Sequence, residues 1–253
     1  TGNKFEFRAV GSSQTIAWPL TVWNLILSES LDYIATTLEP ASGNGAFDEA
    51  VRKVLKDIIT THDRIIFNGD GYTDEWHKHA EAERGLPNLR TSADALPVLG
   101  KPEIVELFSK YEVLSERELL SRMEVLLEQY VMQVGVESNL TLKIGKTEIF
   151  PAAMRYLSEL AGAADDLSDL GIEFENTTLK EVAELAGKLQ TGLAELAEIV
   201  EHEDDDLVAE AAYARDKVLP KMLEIREVVD ALEGVVADDL WTLASYQEIL
   251  FIK

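Results

Sequence analysis

Cysteine is absent from the 253 residues, and basic side chains are scarce: 23 Lys and Arg stand against 47 Asp and Glu. Without thiols the chain has no disulfide and no thiolate metal site, and a reducing, cytoplasmic compartment is expected. The net charge of -24 repels phosphate backbones and anionic lipid, which argues against nucleic-acid and membrane-surface partners. No apolar run approaches the ~20 residues that a bilayer-spanning helix needs. No Walker A loop, Rossmann glycine fingerprint or Ser-His-Asp pattern can be read either.

What is present suits a globular protein with a sizeable core, as one large or two small domains: 46% of the residues are hydrophobic. Residues 3–10 alternate, with Phe5, Phe7 and Ala9 facing one way and Lys4, Glu6 and Arg8 the other. That is the period of a half-buried strand. A lone strand leaves its hydrogen bonds unmet, and Thr1 opens within this segment with no initiator Met. A fragment of a longer polypeptide is therefore expected.

Elsewhere the period is helical. Pro19 fits a first helical turn, because its missing N–H costs nothing there, and a long apolar helix is expected to about Leu38. Further helices are expected over Asp48–His62, from a Thr73 N-cap to Arg84, from a Ser92 cap to Pro97, and over Glu103–Tyr111. Ser115 and Glu118 have capping-box spacing ahead of a long helix. Gly135, Gly145 and Pro151 leave open whether the stretch after that helix is one bent helix or two. Residues 152–170 and 178–202 read as helices separated by Gly171 and a Thr177-Thr178 capping pair. The second has the spacing of a bundle seam. Asp204-Asp205-Asp206 starts a last long helix, in which Pro220 suggests a kink. No repeat stands out beyond the helical period. The expected fold is mainly α, with one N-terminal strand, short helices and an antiparallel helical bundle. The expected divisions are 1–38, 39–114 and 115–253.

Few residues point to chemistry. Glu6 and Arg8, two apart on a strand, share a face. A carboxylate beside a guanidinium can hold Mg²⁺ and clamp an anionic oxygen, although such pairs are usually surface ion pairs. Glu75, His79 and Glu83 recur at four-residue spacing, and a solvated helix face explains them better than a metal site. His62 sits where it can cap a helix C-terminus, and His202 lies in an acidic turn. Asn68-Gly69-Asp70-Gly71 lacks the later glutamate of a calcium loop and reads as a turn. Trp18, Trp23, Trp76 and Trp241 read as packing anchors.

Lys4-Phe5-Glu6-Phe7-Arg8, then Gly11-Ser12-Ser13-Gln14 and Pro19 leading a long helix, resembles the end of the glutamine synthetase catalytic core. Residues 5–14, 64–72, 85–91, 113–119 and 237–241 resemble the type III branch of that family. The resemblance implies that Glu6 is a metal ligand and that Arg8 binds substrate. It implies a parent enzyme that uses ATP with Mg or Mn to join ammonia to glutamate through γ-glutamyl phosphate, in homo-oligomeric rings. Most of the family's metal ligands and its ATP site lie upstream of the matched segments, so the chain alone is expected to be inactive and to hold no metal or nucleotide tightly. A helical assembly module, or an engineered scaffold without catalytic role, is the alternative.

Overall fold

A computed structural model of the chain describes residues 15–43, 45–173, 175–244 and 246–251. Every regular element among them is helical. The mainly α expectation therefore holds, while the strand expected over residues 3–10 lies outside the described residues.

Two compact units form. One takes in the described residues up to Arg90 together with Pro97–Met123, and the other Thr91–Leu96 together with the residues from Glu124 onward. In the first unit, α1 (Ala17–Leu38) and α2 (Phe47–Thr61) are followed by α3 (Asp74–Ala82). Thr73 caps α3 as expected, its Oγ1 accepting from the Trp76 N–H at 3.2 Å. The core of this unit is small. Leu25 of α1, Phe108 of α5 (Pro102–Lys110) and Leu119 are buried together, and Trp18 stacks on Phe108 with ring centroids 5.9 Å apart.

The short α4 (Ser92–Ala95) between them belongs to the second unit. Its cap is Thr91 rather than Ser92: Thr91 Oγ1 accepts from the Asp94 N–H and donates to the Asp94 carboxylate at 2.6 Å. Ser92 is already helical, so its side chain sits one position too late to reach the free N–H groups.

The capping box is present. Ser115 donates its N–H at 2.8 Å and its hydroxyl at 2.7 Å to the Glu118 carboxylate, while the Glu118 N–H turns back to Ser115 Oγ. It opens α6 (Glu116–Ile144), which runs through a π-turn at Gly145–Ile149 into α7 (Phe150–Asp169). After a turn at Gly171 come α8 (Thr177–Ile199), α9 (Leu207–Tyr213), a second π-turn at Ala214–Val218, α10 (Leu219–Glu233) and a short α11 (Tyr246–Leu250). Asp206 caps α9, accepting from the Val208 N–H at 2.9 Å. The expected Thr177-Thr178 cap of α8 is not made: Asn176 occupies the N-cap position without a side-chain bond.

The π-turns explain how Pro151 and Pro220 sit inside long helices. A proline lacks the N–H that bonds four residues back, and its ring collides with that carbonyl. In both cases the chain widens just before the proline. Phe150 donates to the Gly145 carbonyl and Leu219 to the Ala214 carbonyl, each five residues back. The two turns share a pattern that helical spacing alone does not flag. Gly145 and Ala214 begin them, Ile149 and Val218 end them, all four are buried, and a proline stands two residues after each end.

Helix α8 is the centre of the second unit, packed against both α7 and α10. Val182, Ala186, Leu189, Leu193 and Leu196 form its buried stripe, which matches the seam expected from spacing. Gly145 is small because Leu193 leaves no room: a Cβ there would lie 2.6 Å from Leu193 Cδ2.

Candidate functional site

Glu6 and Arg8, the residues with the strongest sequence case for chemistry, lie outside the described residues. The polar clusters within the described part of the chain are built from other side chains.

In the first unit, Arg84 closes the 64–68 segment onto α3. Its Nη1 donates to the carbonyls of Arg64 at 3.0 Å and Ile66 at 2.8 Å, and its Nε donates to His79 Nε2 at 3.0 Å. The guanidinium lies 5.0 Å from the Trp76 ring, which stacks on Phe67 with centroids 3.6 Å apart. His79 Nδ1 faces Glu83 at 3.2 Å. Because Nε2 accepts from Arg84, the ring proton is on Nδ1 and points at Glu83. Both nitrogens of His79 are thus spent inside the protein, which removes the Glu75–His79–Glu83 face as a metal ligand set. Sequence spacing gave no sign of Arg84's role, since its partners are carbonyls 18 and 20 residues away.

The Asn68–Gly71 segment is a turn, as expected: the Asp70 carboxylate accepts from the Tyr72 N–H at 2.9 Å. His62 terminates α2 through its backbone N–H, which donates to Ile58. His202 stacks on Tyr213 with centroids 3.8 Å apart and lies 3.7 Å from the Glu210 carboxylate, too far for a direct hydrogen bond.

A second cluster joins α1 to α5. Lys110 Nζ lies 2.8 Å from Glu29 and 3.3 Å from Asp32. The Tyr111 hydroxyl lies 2.6 Å and 2.9 Å from the same two carboxylates and, with one proton, donates to one of them at a time. Hydrogen bonds from Lys110 and Tyr111 hold Glu29 below the usual carboxylate range, and bonds from Tyr111 and then Lys110 do the same for Asp32. Lys110 is raised by its bond to Glu29, and loss of solvent with the bond to Glu29 pushes Tyr111 up to about 12. A carboxylate lowered by folding stabilises the fold above its unfolded pKa of ~4, and that help fades as pH falls through the lower folded value. The raised Lys110 and Tyr111 act in the opposite sense, with their help fading above pH ~10. The α1–α5 contact is therefore expected to loosen below about pH 4. Amide exchange of residues 25–35 between pH 3 and pH 7 measures it, and Tyr111→Phe should narrow the difference between the two.

In the second unit Arg215 pairs with Asp94 and, in bidentate fashion, with Asp216 at 2.6 and 2.7 Å. This fastens the 91–96 segment to that unit. Tyr130 stands beside the group, its hydroxyl pushed up by burial. A groove of about 740 Å³ also lies in this unit, lined by Gly145, Ile149, Leu219, Met222, Trp241 and Leu243 among others.

None of these clusters pairs a nucleophile with a base. Among the described residues no group of three or more His, Asp or Glu is placed to hold a metal ion, and no helix is long and apolar enough to cross a membrane. The polar clusters of the described residues fasten one segment to another.

Comparison with known proteins points elsewhere. Residues 50–168 match the glutamine synthetase C-terminal domain. The whole chain aligns with the type-3 glutamine synthetase of Dictyostelium discoideum at 34% identity, covering 36% of that protein. It aligns at 30% with a glutamine synthetase of Bacteroides fragilis and, over 99% of its length, at 28% with one of Butyrivibrio fibrisolvens. Each alignment takes in 36% of the relative, so the chain spans little more than a third of the length of the curated proteins it matches.

Proposed function

Given that this chain is a C-terminal part of the type III glutamine synthetase family, we propose that it serves a cytoplasmic enzyme that ligates ammonia to glutamate at the expense of ATP. The alignment over the full chain at 34% identity carries this reading. ATP and Mg or Mn would supply the phosphoryl donor and its charge neutralisation in the complete enzyme. From this chain, Glu6 would contribute one metal-binding carboxylate and Arg8 a clamp on a substrate oxygen. No step of the reaction is assigned to the described residues.

Their part is assembly. Helix α1 is apolar on nearly every side, which is the pattern of a helix buried all round. Yet only Leu25 is buried among its residues, while Leu20, Ile26, Leu27 and Leu31 are exposed. Such a helix fits beneath the remainder of the synthetase or a neighbouring subunit. A purely structural module draws support from the same observation and from the lack of a metal cluster among the described residues.

One assay separates the two roles. The purified 253-residue chain, supplied with ATP, Mg²⁺, glutamate and ammonia, is expected to form no glutamine, because a single carboxylate gives at most about two of the roughly six ligands that Mg²⁺ requires. Sustained ATP-dependent glutamine formation would sink this division of labour.

A further inference from the structure

We propose that the short helix α11 is a strap that swings onto the groove of the second unit and closes it with Leu250 and Phe251. The proposal goes beyond the assembly role given above and rests on the second unit alone.

The groove of about 740 Å³ is lined mostly by apolar side chains from α6, from α10 and from the segment that follows α10. Leu140 of α6 and Leu223 of α10 line it and are exposed. Space of that size and lining gains from being filled by an apolar group.

The chain itself supplies one. Trp241 and Leu243 line the groove and pack against the core of the unit, which anchors the segment there. Helix α11 begins three residues after Leu243, and Ile249 lines the groove as well. The segment therefore follows the groove instead of leaving it. Yet Ile249, Leu250 and Phe251 are 61%, 70% and 68% exposed. A scattered exposed apolar side chain needs no explanation. Three in succession at the edge of an apolar groove form a patch that burial would stabilise. A tether this short gives the segment an effective concentration of about millimolar, so it fills the groove ahead of a free partner of like chemistry.

The charges permit this closure. Those lining the groove are Glu137, Arg226, Asp230 and Glu233, and Arg226 pairs with Asp230. Glu137 and Glu233 remain, so a strap that brought its own carboxylate inward would be repelled. Glu248 and Leu250 are two residues apart on α11, about 200° around a helix. Turning Leu250 inward therefore carries Glu248 to the solvent side.

The absence of cysteine lets one introduced thiol report on the strap in the full 253-residue chain. L250C keeps Ile249 and Phe251 in place. L170C is the reference, because Leu170 follows α7 and is 74% exposed. The rate of each with an aromatic disulfide reagent is divided by its own rate in concentrated urea, which removes chemical differences between the two thiols. A strap open in about a tenth of the molecules or fewer should make L250C at least about tenfold slower than L170C. Adding L223E puts a charge on the groove wall at an exposed position. It should leave the circular dichroism spectrum unchanged and raise the L250C rate to that of L170C. Equal rates in the native chain without L223E would mean that the strap stays open, and would overturn the proposal. Slow reaction that L223E does not relieve would place Leu250 against another surface and overturn it too. Protection that fades on dilution would mean that a second copy covers the segment, which also overturns it.

Discussion

Leu196→Ala is expected to lower the stability of the second unit by about 2–5 kcal/mol. Leu196 is fully buried near the C-terminal end of α8, as is Leu189 two turns earlier. Because α8 packs on both sides, against α7 and α10, a cavity at Leu196 is walled by helices that are each held elsewhere and cannot close on it. The upper part of the range is therefore expected. A domain of ordinary stability has about 5–15 kcal/mol in total, so one such truncation removes a large fraction. Urea denaturation followed by circular dichroism reads the effect as a lower midpoint with an unchanged slope. A loss below about 1 kcal/mol, under the range for such truncations, would mean that α8 is not the packing centre.

The second large effect concerns a glycine. Gly145→Val is expected to destabilise the same unit by about 1–3 kcal/mol, because the added carbons enter the space of Leu193. The Cβ alone would lie 2.6 Å from Leu193 Cδ2, and Leu193 is itself buried and cannot swing into solvent. The test is a double-mutant cycle. Leu193→Ala is costly alone, but in that background Gly145→Val should cost little or even fill the gap. A coupling of about 0.5–3 kcal/mol is the expected size for side chains in contact. Simple additivity of the two changes would refute the contact.

The sequence announced those features whose physics is local. A hydroxyl three residues ahead of a free N–H made the caps at Thr73 and Ser115 legible, and the seven- and four-residue spacings of α8 made its buried stripe legible. Where two neighbouring residues could serve, local rules did not choose. Thr91 caps in place of Ser92 because the chain enters α4 one residue earlier. The prolines left the outcome open for a different reason. Pro151 and Pro220 carry the ordinary marks of a helix break, and only the accommodation by a preceding wide turn, set by packing of Gly145 and Ala214 in the interior, keeps the helices running. The Arg84 latch was invisible because its acceptors are backbone carbonyls, which every residue has. As for chemistry, Glu6 and Arg8 came to notice through alternation on a strand and through family resemblance. The comparisons bear out the family, while both residues fall outside the described part of the fold.

The π-turns carry a consequence for how this sequence varies. A five-residue-back hydrogen bond inside an α-helix is, geometrically, one surplus residue absorbed without breaking the rod. Both Gly145–Ile149 and Ala214–Val218 therefore hold one residue more than a regular α-helical ladder would. Removing one residue from either would restore a regular ladder only if Pro151 or Pro220 changed as well, since the ring would then meet a carbonyl four residues back. In relatives of this chain, one-residue gaps at these two places should travel together with loss of the neighbouring proline.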